Sequence, residues 1–419
     1  MKERLKAPEL RFPGFTDDWE ERKLGELSNI VGGGTPSTSN PEYWDGDIDW
    51  YAPAEIGEQS YVSKSKKTIT ELGLKKSSAR ILPVGTVLFT SRAGIGNTAI
   101  LAKEATTNQG FQSIVPGQNK LDSYFIFSRT NELKRYGEVT GAGSTFVEVS
   151  GKQMSKMSIM VPELSEQQKI GSFFKQLDDT IALHQRKLDL LKEQKTGYLQ
   201  KMFPKNGAKV PELRFAGFAD DWEERKLESF TLLITKQTGF DYSATIKPAL
   251  VNKSEGNVYP FIQNKNFSGF KINMNTDFYI PIEVANKFPR ITLDQPSLLV
   301  TISGNIGNVG LYNSDEKAFV GGAVGICKLN NLIEGEFILY ELESDFGQRQ
   351  FKRSTKSSSH ANITVEMIKN IDILIPKNEL EQKKIGSFFK QLDDTIALHQ
   401  RKLDLLKEQK KGFLQKMFV

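Results

Sequence analysis

Residue types that carry covalent chemistry are scarce in this sequence of 419 residues. The one cysteine, Cys327, lies in the apolar stretch GICKL, which favours a small buried residue over a nucleophile. The three histidines, His184, His360 and His399, have no Cys, Asp or Glu neighbours at the spacing of a metal site. A single cysteine forms no internal disulfide and suits a reducing, cytoplasmic location.

Two glycine-rich runs could cradle a phosphate, but both lack the rest of such a motif. The run at 32–36 has no Lys-Ser/Thr after it, and no G-x-G-x-x-G spacing with an acidic residue about 20 positions on. The run at 321–325 is equally short, and we interpret both as turns. The sequence also has no amino-methyltransferase, helicase or nuclease motif, so it predicts a chain that is not an enzyme.

The strongest pattern is a repeat whose middle is replaced. Residues 166–203 and 381–418 differ at only three of 38 positions. A second matched pair is PELRFPGFTDDWEERKL at 8–24 and PELRFAGFADDWEERKL at 211–227. Each copy precedes one of two variable segments, about 28–165 and 231–380, which we call the fillings. A repeated frame with varied filling predicts two equivalent halves that present different binding surfaces.

A faint similarity between the fillings predicts that they share a fold. LPVGTVLFTSRAGIGN at 82–97 aligns with LDQPSLLVTISGNIGN at 293–308. Both stretches place a β-rich segment before a Gly/Asn turn that ends in Ile-Gly-Asn. The fillings are therefore predicted to be mixed α/β domains with a common fold and different surfaces.

Each 38-residue block predicts one long helix with a coiled-coil seam. Mostly apolar residues alternate at spacings of four and three over more than four heptads. The seam of the first copy is Ile170, Phe174, Leu177, Ile181, His184, Leu188, Leu191, Lys195, Tyr198 and Met202. Such a helix, roughly 57 Å long at 1.5 Å per residue, needs a partner for its stripe, and the other copy is the natural one. We interpret His184 and His399 as polar seam residues that fix register.

The order of the repeats predicts the fold class and the domain boundaries. Two half-units that close on each other form a pseudo-two-fold object in which the long helices run antiparallel and separate two globular domains. We predict globular domains at 1–164 and 204–377, and coiled-coil helices at 165–203 and 378–419. Ser165 is the predicted N-cap of the first helix.

The charge distribution limits how the fillings could bind nucleic acid. The net charge of +5 is concentrated on the repeated helical blocks. Residues 28–165 carry 14 positive and 13 negative side chains, and residues 231–380 carry 15 of each. Nucleic-acid binding would therefore need local basic clusters or a partner that supplies phosphate contacts. The sequence contains no run of 18 apolar residues, so it predicts no membrane span. The stretch MKERLKAPEL lacks the apolar core of a signal peptide.

These repeated elements resemble the specificity subunit (HsdS) of Type I restriction–modification systems, over essentially the full length. The resemblance is carried by two variable segments alternating with two nearly identical helices of the pattern EQ(Q/K)KIGSFF…LDD. The opening PELRF.GF.DDWE and the stretch EYWDGDIDWYAPAEI at 42–56 are also similar to this family.

The resemblance implies a division of labour between the variable and repeated parts. Each variable segment would be a target-recognition domain that reads one half of a bipartite double-stranded DNA target. The paired helices would set the unread spacer, with half-sites roughly 10 bp apart. They would also dock two modification (methyltransferase) subunits. Those partners would bind S-adenosylmethionine and methylate adenine, restriction subunits would use ATP and Mg, and this chain would bind no cofactor.

Residue types then select the predicted DNA contacts, since phosphates need Lys or Arg and base edges need Arg, Asn, Gln, Ser or Thr. In the first domain the base contacts would be Thr90, Ser91, Arg92, Asn108 and Gln109, and the phosphate contacts Lys75, Lys76 and Arg80. In the second domain the contacts would be Gln263, Asn264, Lys265, Ser303, Asn305, Lys356, Ser357 and His360. Arg92 is the best single candidate because a lone arginine follows a β-rich segment there.

Other interpretations stay open at this point. Each of the predicted contacts could be an ordinary solvated loop residue. The chain could also be a protein-interaction scaffold that binds no DNA and acts through its coiled coil. A catalytic fusion of reader and enzyme is a third interpretation, which the missing motifs disfavour.

Overall fold

The structure is a computed structural model that describes residues 7–92, 94–141, 148–205, 207–252, 256–355 and 362–418. The chain forms two compact units. Unit 1 is Met1–Arg186 with Gln400–Val419, and unit 2 is Lys187–His399. Within the described ranges, none of the helices combines the length and apolarity needed to cross a membrane.

Thirteen α-helices lie in the described part of the chain, and two of them are far longer than the others. The first six are α1 (Leu24–Leu27), α2 (Glu71–Lys75), α3 (Ser123–Ser128), α4 (Thr130–Gly141), α5 (Gly151–Ser155) and α6 (Leu164–Met202). The others are α7 (Gly239–Asp241), α8 (Lys247–Ala249), α9 (Ile282–Ala285), α10 (Leu332–Glu343), α11 (Asp345–Thr355), α12 (Val365–Lys369) and α13 (Glu379–Lys416). The long helices α6 and α13 are the two repeated blocks.

The described strands of unit 1 form three sheets. They are β1 (Glu20–Lys23), β2 (Ser28–Gly32), β3 (Trp44–Tyr51), β4 (Tyr61–Val62), β5 (Lys67–Ile69), β6 (Val87–Phe89), β7 (Thr98–Leu101), β8 (Thr106–Thr107), β9 (Gln112–Pro116) and β10 (Ser158–Val161). The sheet orders are β2-β9-β6-β7-β4, β5-β3-β8 and β1-β10.

Unit 2 repeats this plan with its own strands. They are β11 (Glu223–Lys226), β12 (Thr231–Lys236), β13 (Val258–Ile262), β14 (Phe267–Ser268), β15 (Lys271–Ile272), β16 (Tyr279–Pro281), β17 (Thr292–Leu293), β18 (Ser297–Thr301), β19 (Val309–Tyr312), β20 (Ala318–Val320), β21 (Val324–Leu329) and β22 (Asp372–Ile375). The sheet orders are β12-β21-β18-β19, β16-β13-β20-β17, β14-β15 and β11-β22.

The two units have matching strand registers. Strand β1 pairs antiparallel with β10, with Glu20 opposite Val161, and β11 pairs with β22, with Glu223 opposite Ile375. Strand β3 pairs parallel with β8, as β13 does with β20. The prediction of a shared mixed α/β fold with an internal repeat is therefore confirmed.

The coiled-coil seam is also confirmed. All ten seam residues of α6, and their ten counterparts on and directly after α13, are buried or half-buried. Leu183 and Leu190, which lie outside the seam on α6, are exposed. The alternation of three and four residues thus assigned the packed face correctly.

Aromatic contacts inside each unit show that the long helices are antiparallel. In unit 1 the early part of α6 packs on the end of α13, with ring centroids of Phe173 and Phe413 5.0 Å apart. In unit 2 the end of α6 packs on the start of α13, with Tyr198 and Phe388 5.1 Å apart. The start of one helix therefore meets the end of the other in both units, as predicted.

A charged network accompanies the seam in each unit. In unit 1, Lys410 Nζ lies 2.5 Å from Asp178, which also accepts a hydrogen bond from the Tyr124 hydroxyl at 2.9 Å. In unit 2, Lys195 lies 2.9 Å from Asp393, which accepts from the Tyr340 hydroxyl at 3.3 Å. Burial raises the pKa of both phenols, so they stay protonated and can donate. In both units, carboxylates of the antiparallel partner helix neutralise the charge of the half-buried seam lysine, Lys410 or Lys195.

The start of each long helix is fixed by its own repeat block. Arg11 makes two hydrogen bonds of 2.7 Å to the carboxylate of the fully buried Glu166 in the first turn of α6. Arg214 makes the equivalent pair, at 2.7 and 2.8 Å, to the buried Glu381 on α13. Two parallel N–H···O bonds fix both distance and orientation, so each PELRF block is clamped to the helix of its unit.

The predicted N-cap at Ser165 is wrong. Helix α6 begins at Leu164, and the carbonyl of Glu163 accepts the hydrogen bond from Gln167 N at 3.1 Å. Glu163 therefore occupies the cap position, and the Ser165 hydroxyl donates to the Glu163 carboxylate instead. The second copy uses Asn378, whose side-chain oxygen accepts from Leu380 N at 2.9 Å.

Glu341 on α10 gives unit 2 a testable dependence on pH. Burial raises the pKa of this carboxyl well above its ordinary 4.5, against a weaker opposing hydrogen bond from Leu374 N. The pKa of this carboxyl is higher in the folded state than in the unfolded state. The free energy of unfolding therefore falls as pH rises above about 4.5, because the unfolded chain ionises more readily. We expect Glu341→Gln to stabilise unit 2 at pH 8 by about 1–3 kcal/mol, and to have little effect near pH 4.

Thermal unfolding at both pH values measures this difference, at about 2–4 °C of Tm for each kcal/mol. The exposed Glu283 supplies the matched control, since Glu283→Gln should change stability by less than about 0.5 kcal/mol at either pH. An equal loss of stability in Glu341→Gln at both pH values would contradict the assigned protonation.

Candidate nucleic-acid interface

The turn after β6 in unit 1 and the turn after β18 in unit 2 have the same construction. The Thr90 hydroxyl donates to the carbonyl of Gly94 at 2.7 Å and accepts from Asn97 N at 2.9 Å. In unit 2 the Thr301 hydroxyl donates to the carbonyl of Asn305 and accepts from Asn308 N at 3.0 Å. A buried threonine therefore shapes this turn from inside in both units.

The predicted DNA contacts within this turn differ in how deeply their side chains are buried. Thr90 and Ser91 were predicted to touch DNA, and both side chains are buried. The backbone of Ser91 is held between neighbours, since its N donates to Gly110 O at 2.8 Å and its O accepts from Val149 N at 3.0 Å. Its counterpart in unit 2 is Ile302, a core residue. Of the three predicted contacts in this turn, Arg92 is therefore the one whose side chain has access to solvent, since it is half-buried.

The half-buried Arg92 lies among three other loops, and we call this surface the unit-1 loop face. It consists of Gly33–Thr35, the turn at Pro53, Arg92, and Asn108–Gly110. A Cβ placed on Gly110 would lie 2.9 Å from Pro53 Cγ and 3.6 Å from Arg92 Nε. The Asn108 side-chain oxygen accepts from Gly110 N at 2.7 Å, and the Thr35 hydroxyl donates to the side-chain oxygen of Gln109. The structure thus brings the predicted contacts Arg92, Asn108 and Gln109 together.

The predicted phosphate contacts adjoin this face. Lys75, Lys76 and Arg80 are all exposed, on and just after α2. A Cβ on Gly34 would lie 2.3 Å from the backbone nitrogen of Ala79, so the glycine run packs directly against this basic segment. The run predicted to be a turn therefore allows close backbone approach, which a side chain at this position would prevent.

Unit 2 has the equivalent surface, which we call the unit-2 loop face. It consists of Gln237, Gln263–Lys265, Ser303–Asn305 and Gly321–Ala323. Gly321 N donates to Ile262 O at 2.7 Å, as Asn108 N donates to Tyr51 O at 3.0 Å in unit 1. The Asn264 amide donates to the carbonyl of Ser303 at 3.4 Å, and Asn305 is exposed on the same turn.

The remaining predicted contacts of unit 2 differ in their surroundings. Gln263 is half-buried, and its backbone N donates a hydrogen bond to the side-chain oxygen of Asn266 at 2.9 Å. Lys265 is exposed but paired with Asp277 at 2.6 Å, and its ammonium lies 5.0 Å from the ring centre of Phe278. Lys356, Ser357 and His360 lie outside the described residues.

Cys327 is a buried residue on β21, as predicted. Burial raises the pKa of its thiol to about 12, so the thiol stays protonated at neutral pH. A protonated, enclosed sulfur is neither a nucleophile nor a metal ligand, and the structural interpretation of this residue is confirmed.

Sequence reasoning missed Gln237, which belongs to the unit-2 loop face, and Phe240, which follows it on the same turn. Gln237, directly after β12, is only 3% exposed, whereas Phe240 three residues later is 81% exposed. A Cβ placed on Gly322 would lie 3.1 Å from Gln237 Oε1, so the Gln237 amide lies beneath that exposed glycine. The sequence offers a weak signal, an aromatic ring within a short polar stretch between two strands.

The chain matches a known family model over most of its length. Residues 16–193 and 219–408 match the model of the Type I restriction modification DNA specificity domain. The MjaIX specificity subunit of a Type I restriction enzyme from Methanocaldococcus jannaschii is 37% identical over 179 residues, which are 42% of this chain and 41% of that relative. The matched part therefore spans about two fifths of that relative.

Two further comparisons extend over nearly the whole chain. The putative MjaX specificity subunit of a Type I restriction enzyme, from the same organism, is 24% identical across 95% of this chain and 92% of its own length. The crystal structure of the S subunit of a Type I restriction–modification system from M. genitalium superposes with a TM-score of 0.65. That superposition covers 99% of both chains at 13% sequence identity, and it supports the fold alone.

Proposed function

Because the chain belongs to the family defined by the Type I restriction–modification DNA specificity domain, we propose that it selects the DNA target of a methylation and restriction complex. One observation carries the proposal. The two units build loop faces at equivalent places from equivalent backbone contacts, but the faces carry different side chains. Arg92 at the unit-1 turn corresponds to Ser303 at the unit-2 turn, so one fold presents two different sets of base-contacting groups.

In this proposal each unit reads one half of a bipartite double-stranded target. Arg92, Asn108 and Gln109 contact base edges of the first half-site, while Lys75, Lys76 and Arg80 hold its phosphates. Asn264, Ser303 and Asn305 contact the second half-site. The near-neutral charge of both fillings supports a shared task, in which partner subunits supply further phosphate contacts.

The long helices have a separate role in the proposal. Helices α6 and α13 set the unread spacer and dock two modification subunits. Their near-identity supports two equivalent docking sites, because two copies of one partner need the same surface twice. S-adenosylmethionine, ATP and Mg bind those partners and the restriction subunits, and this chain acts without a cofactor or catalytic step of its own.

Methylation mapping tests this function directly. The purified chain is mixed with the modification subunit encoded beside it and S-adenosylmethionine, and the methylated adenines of a bacterial genome are determined. We expect one bipartite motif with the complex and no methyl transfer by this chain alone. Methyl transfer by the isolated chain would refute the proposed division of labour. A gel-shift panel that shows no DNA binding by the complex would instead favour a protein-interaction scaffold.

Arg92→Ala is expected to relax the first half-site and leave the second intact. A bidentate arginine contact with guanine discriminates by about 1–3 kcal/mol, so discrimination at one base pair should fall roughly 5- to 150-fold. Competition binding with single-base variants of the mapped motif measures this change. The comparison variant is Arg80→Ala, which should weaken binding evenly across sequences and reduce the salt dependence. Unchanged discrimination in Arg92→Ala would remove this residue from the base contacts.

A further inference from the structure

The short turn after β12 has no predicted role, yet it lies at the unit-2 loop face. Strand β12 pairs with β21 so that Lys236 is opposite Gly325, and β2 pairs with β9 so that Gly32 is opposite Gln112. Gln237 therefore occupies the position that Gly33 occupies in unit 1. Since Gly33–Thr35 belongs to the unit-1 loop face, Gln237 and the turn that follows belong to the corresponding surface of unit 2.

The Gln237 side chain has unmet hydrogen-bonding capacity. It is 3% exposed, and neither its amide nitrogen nor its amide oxygen has a hydrogen-bond partner among the described residues. A buried polar group without partners is costly, and such groups are rare in folded proteins. The amide lies beneath Gly322, which is exposed and has no side chain to cover it. The amide reaches a ligand only by turning outward past Gly322, where a ligand that offers one donor and one acceptor would satisfy both atoms.

Phe240 supplies an apolar group on the same turn, three residues after Gln237. Its ring is 81% exposed, although the turn that carries it is well fixed. The Thr238 hydroxyl accepts from Asp241 N at 3.1 Å and donates to the Asp241 carboxylate at 2.6 Å. A capped turn therefore presents a large aromatic ring to solvent at the loop face, where a ligand can cover it.

These two groups match one base pair. Adenine presents an acceptor and a donor in the major groove that suit the amide of glutamine, and thymine presents a methyl group that suits an aromatic ring. We propose that the turn Gln237–Asp241 reads an A·T pair in the second half-site, with the Gln237 amide on adenine and the Phe240 ring on a thymine methyl. This inference rests on the proposed function. The exposed Lys236 next to the turn is placed to contact a phosphate.

Unit 1 lacks this device, which limits the inference to one half-site. Its residues at the equivalent positions are Gly33, with no side chain, and Pro36. Loss of the turn should therefore change recognition of the second half-site and leave the first unchanged.

Modified DNA bases give a sharp test with the full chain in complex with the modification subunit. The bipartite motif is first determined for the parent complex. Each thymine of the second half-site is then replaced by deoxyuridine, which lacks the methyl group, and each adenine by 7-deazaadenine, which lacks the acceptor. We expect one deoxyuridine substitution to weaken parent binding about fourfold, as loss of one buried methyl group predicts. One 7-deazaadenine substitution should weaken it roughly 10-fold.

The variants assign each effect to one side chain. Phe240→Ala should bind thymine and deoxyuridine equally, and Gln237→Ala should bind adenine and 7-deazaadenine equally. Phe240→Leu, which keeps an apolar side chain, should retain part of the methyl effect. The matched control is Leu232→Ala, because Leu232 is 70% exposed on β12 but lies outside the loop face, and it should behave as the parent.

Several outcomes would overturn the inference. A second half-site without an A·T pair would do so, as would undiminished sensitivity to the modified bases in both alanine variants. Loss of assembly with the modification subunit in Phe240→Ala, with base discrimination intact, would assign the ring to a protein interface instead. Failure of the proposed function would be seen earlier, because the parent complex would then show no bipartite motif.

Discussion

A four-residue insertion in both long helices, between Leu183 and His184 and between Leu398 and His399, is expected to lengthen the spacer of the methylated motif. Four residues extend a helix by about 6 Å, which corresponds to roughly two base pairs of B-DNA. The half-sites should stay the same, because the insertions leave both loop faces untouched. Methylation mapping of the variant complex measures spacer and half-sites in one experiment.

Two companion variants test the physical reason. The same insertion in α6 alone should abolish activity, since the antiparallel contacts of unit 1 and unit 2 could no longer form together. Seven-residue insertions in both helices keep the heptad phase, which four residues do not, and should give a longer spacer with better-preserved stability. A changed half-site with an unchanged spacer would contradict the role of the helices as the spacer element.

Removal of one arginine clamp is expected to have the largest effect on stability. Arg214→Leu leaves the carboxylate of Glu381 buried without its partner, and breaking a buried ion pair from one side costs about 3–5 kcal/mol. Urea unfolding of the full chain should show this loss in the transition of unit 2. Because the clamp fixes the start of α13, methylation should fall along with stability.

A double variant and a surface variant provide the controls. Arg214→Leu combined with Glu381→Met removes both charges, and it should recover most of the stability since an apolar pair can replace a buried ion pair at little cost. Arg22 pairs with Glu26 on the surface, and Arg22→Ala should have little effect on stability because solvent screens this pair. A loss in Arg214→Leu no larger than in Arg22→Ala would show that the clamp is dispensable.

The long helices were predictable because a strict period leaves few alternatives. Spacings of three and four over more than four heptads select one face, and the near-identity of the copies selects the partner. The helix start was not predictable at the level of one residue. Ser165 and Glu163 can both cap, and the register of the chain after Pro162 decides between them. The domain boundaries at 164 and 377 stay a prediction.

The loop faces were predictable only in part. Residue type identified Arg92, Asn108 and Gln109, which the structure brings together. Type alone could not show that Thr90 and Ser91 are buried, because β6 is buried on both faces and this burial continues past the end of the strand. Gln237 was missed because its position is defined by the pairing of β12 with β21 rather than by any motif.

The threonine-centred turns have an evolutionary consequence. Thr90 and Thr301 hold their turns through bonds to backbone atoms, so the shape of the turn does not depend on which side chains stand at its exposed positions. Substitution at Arg92 or Asn305 therefore carries little folding penalty. A lineage can sample new side chains there without losing the fold, so under the proposed function the same scaffold could change its target through stable intermediates.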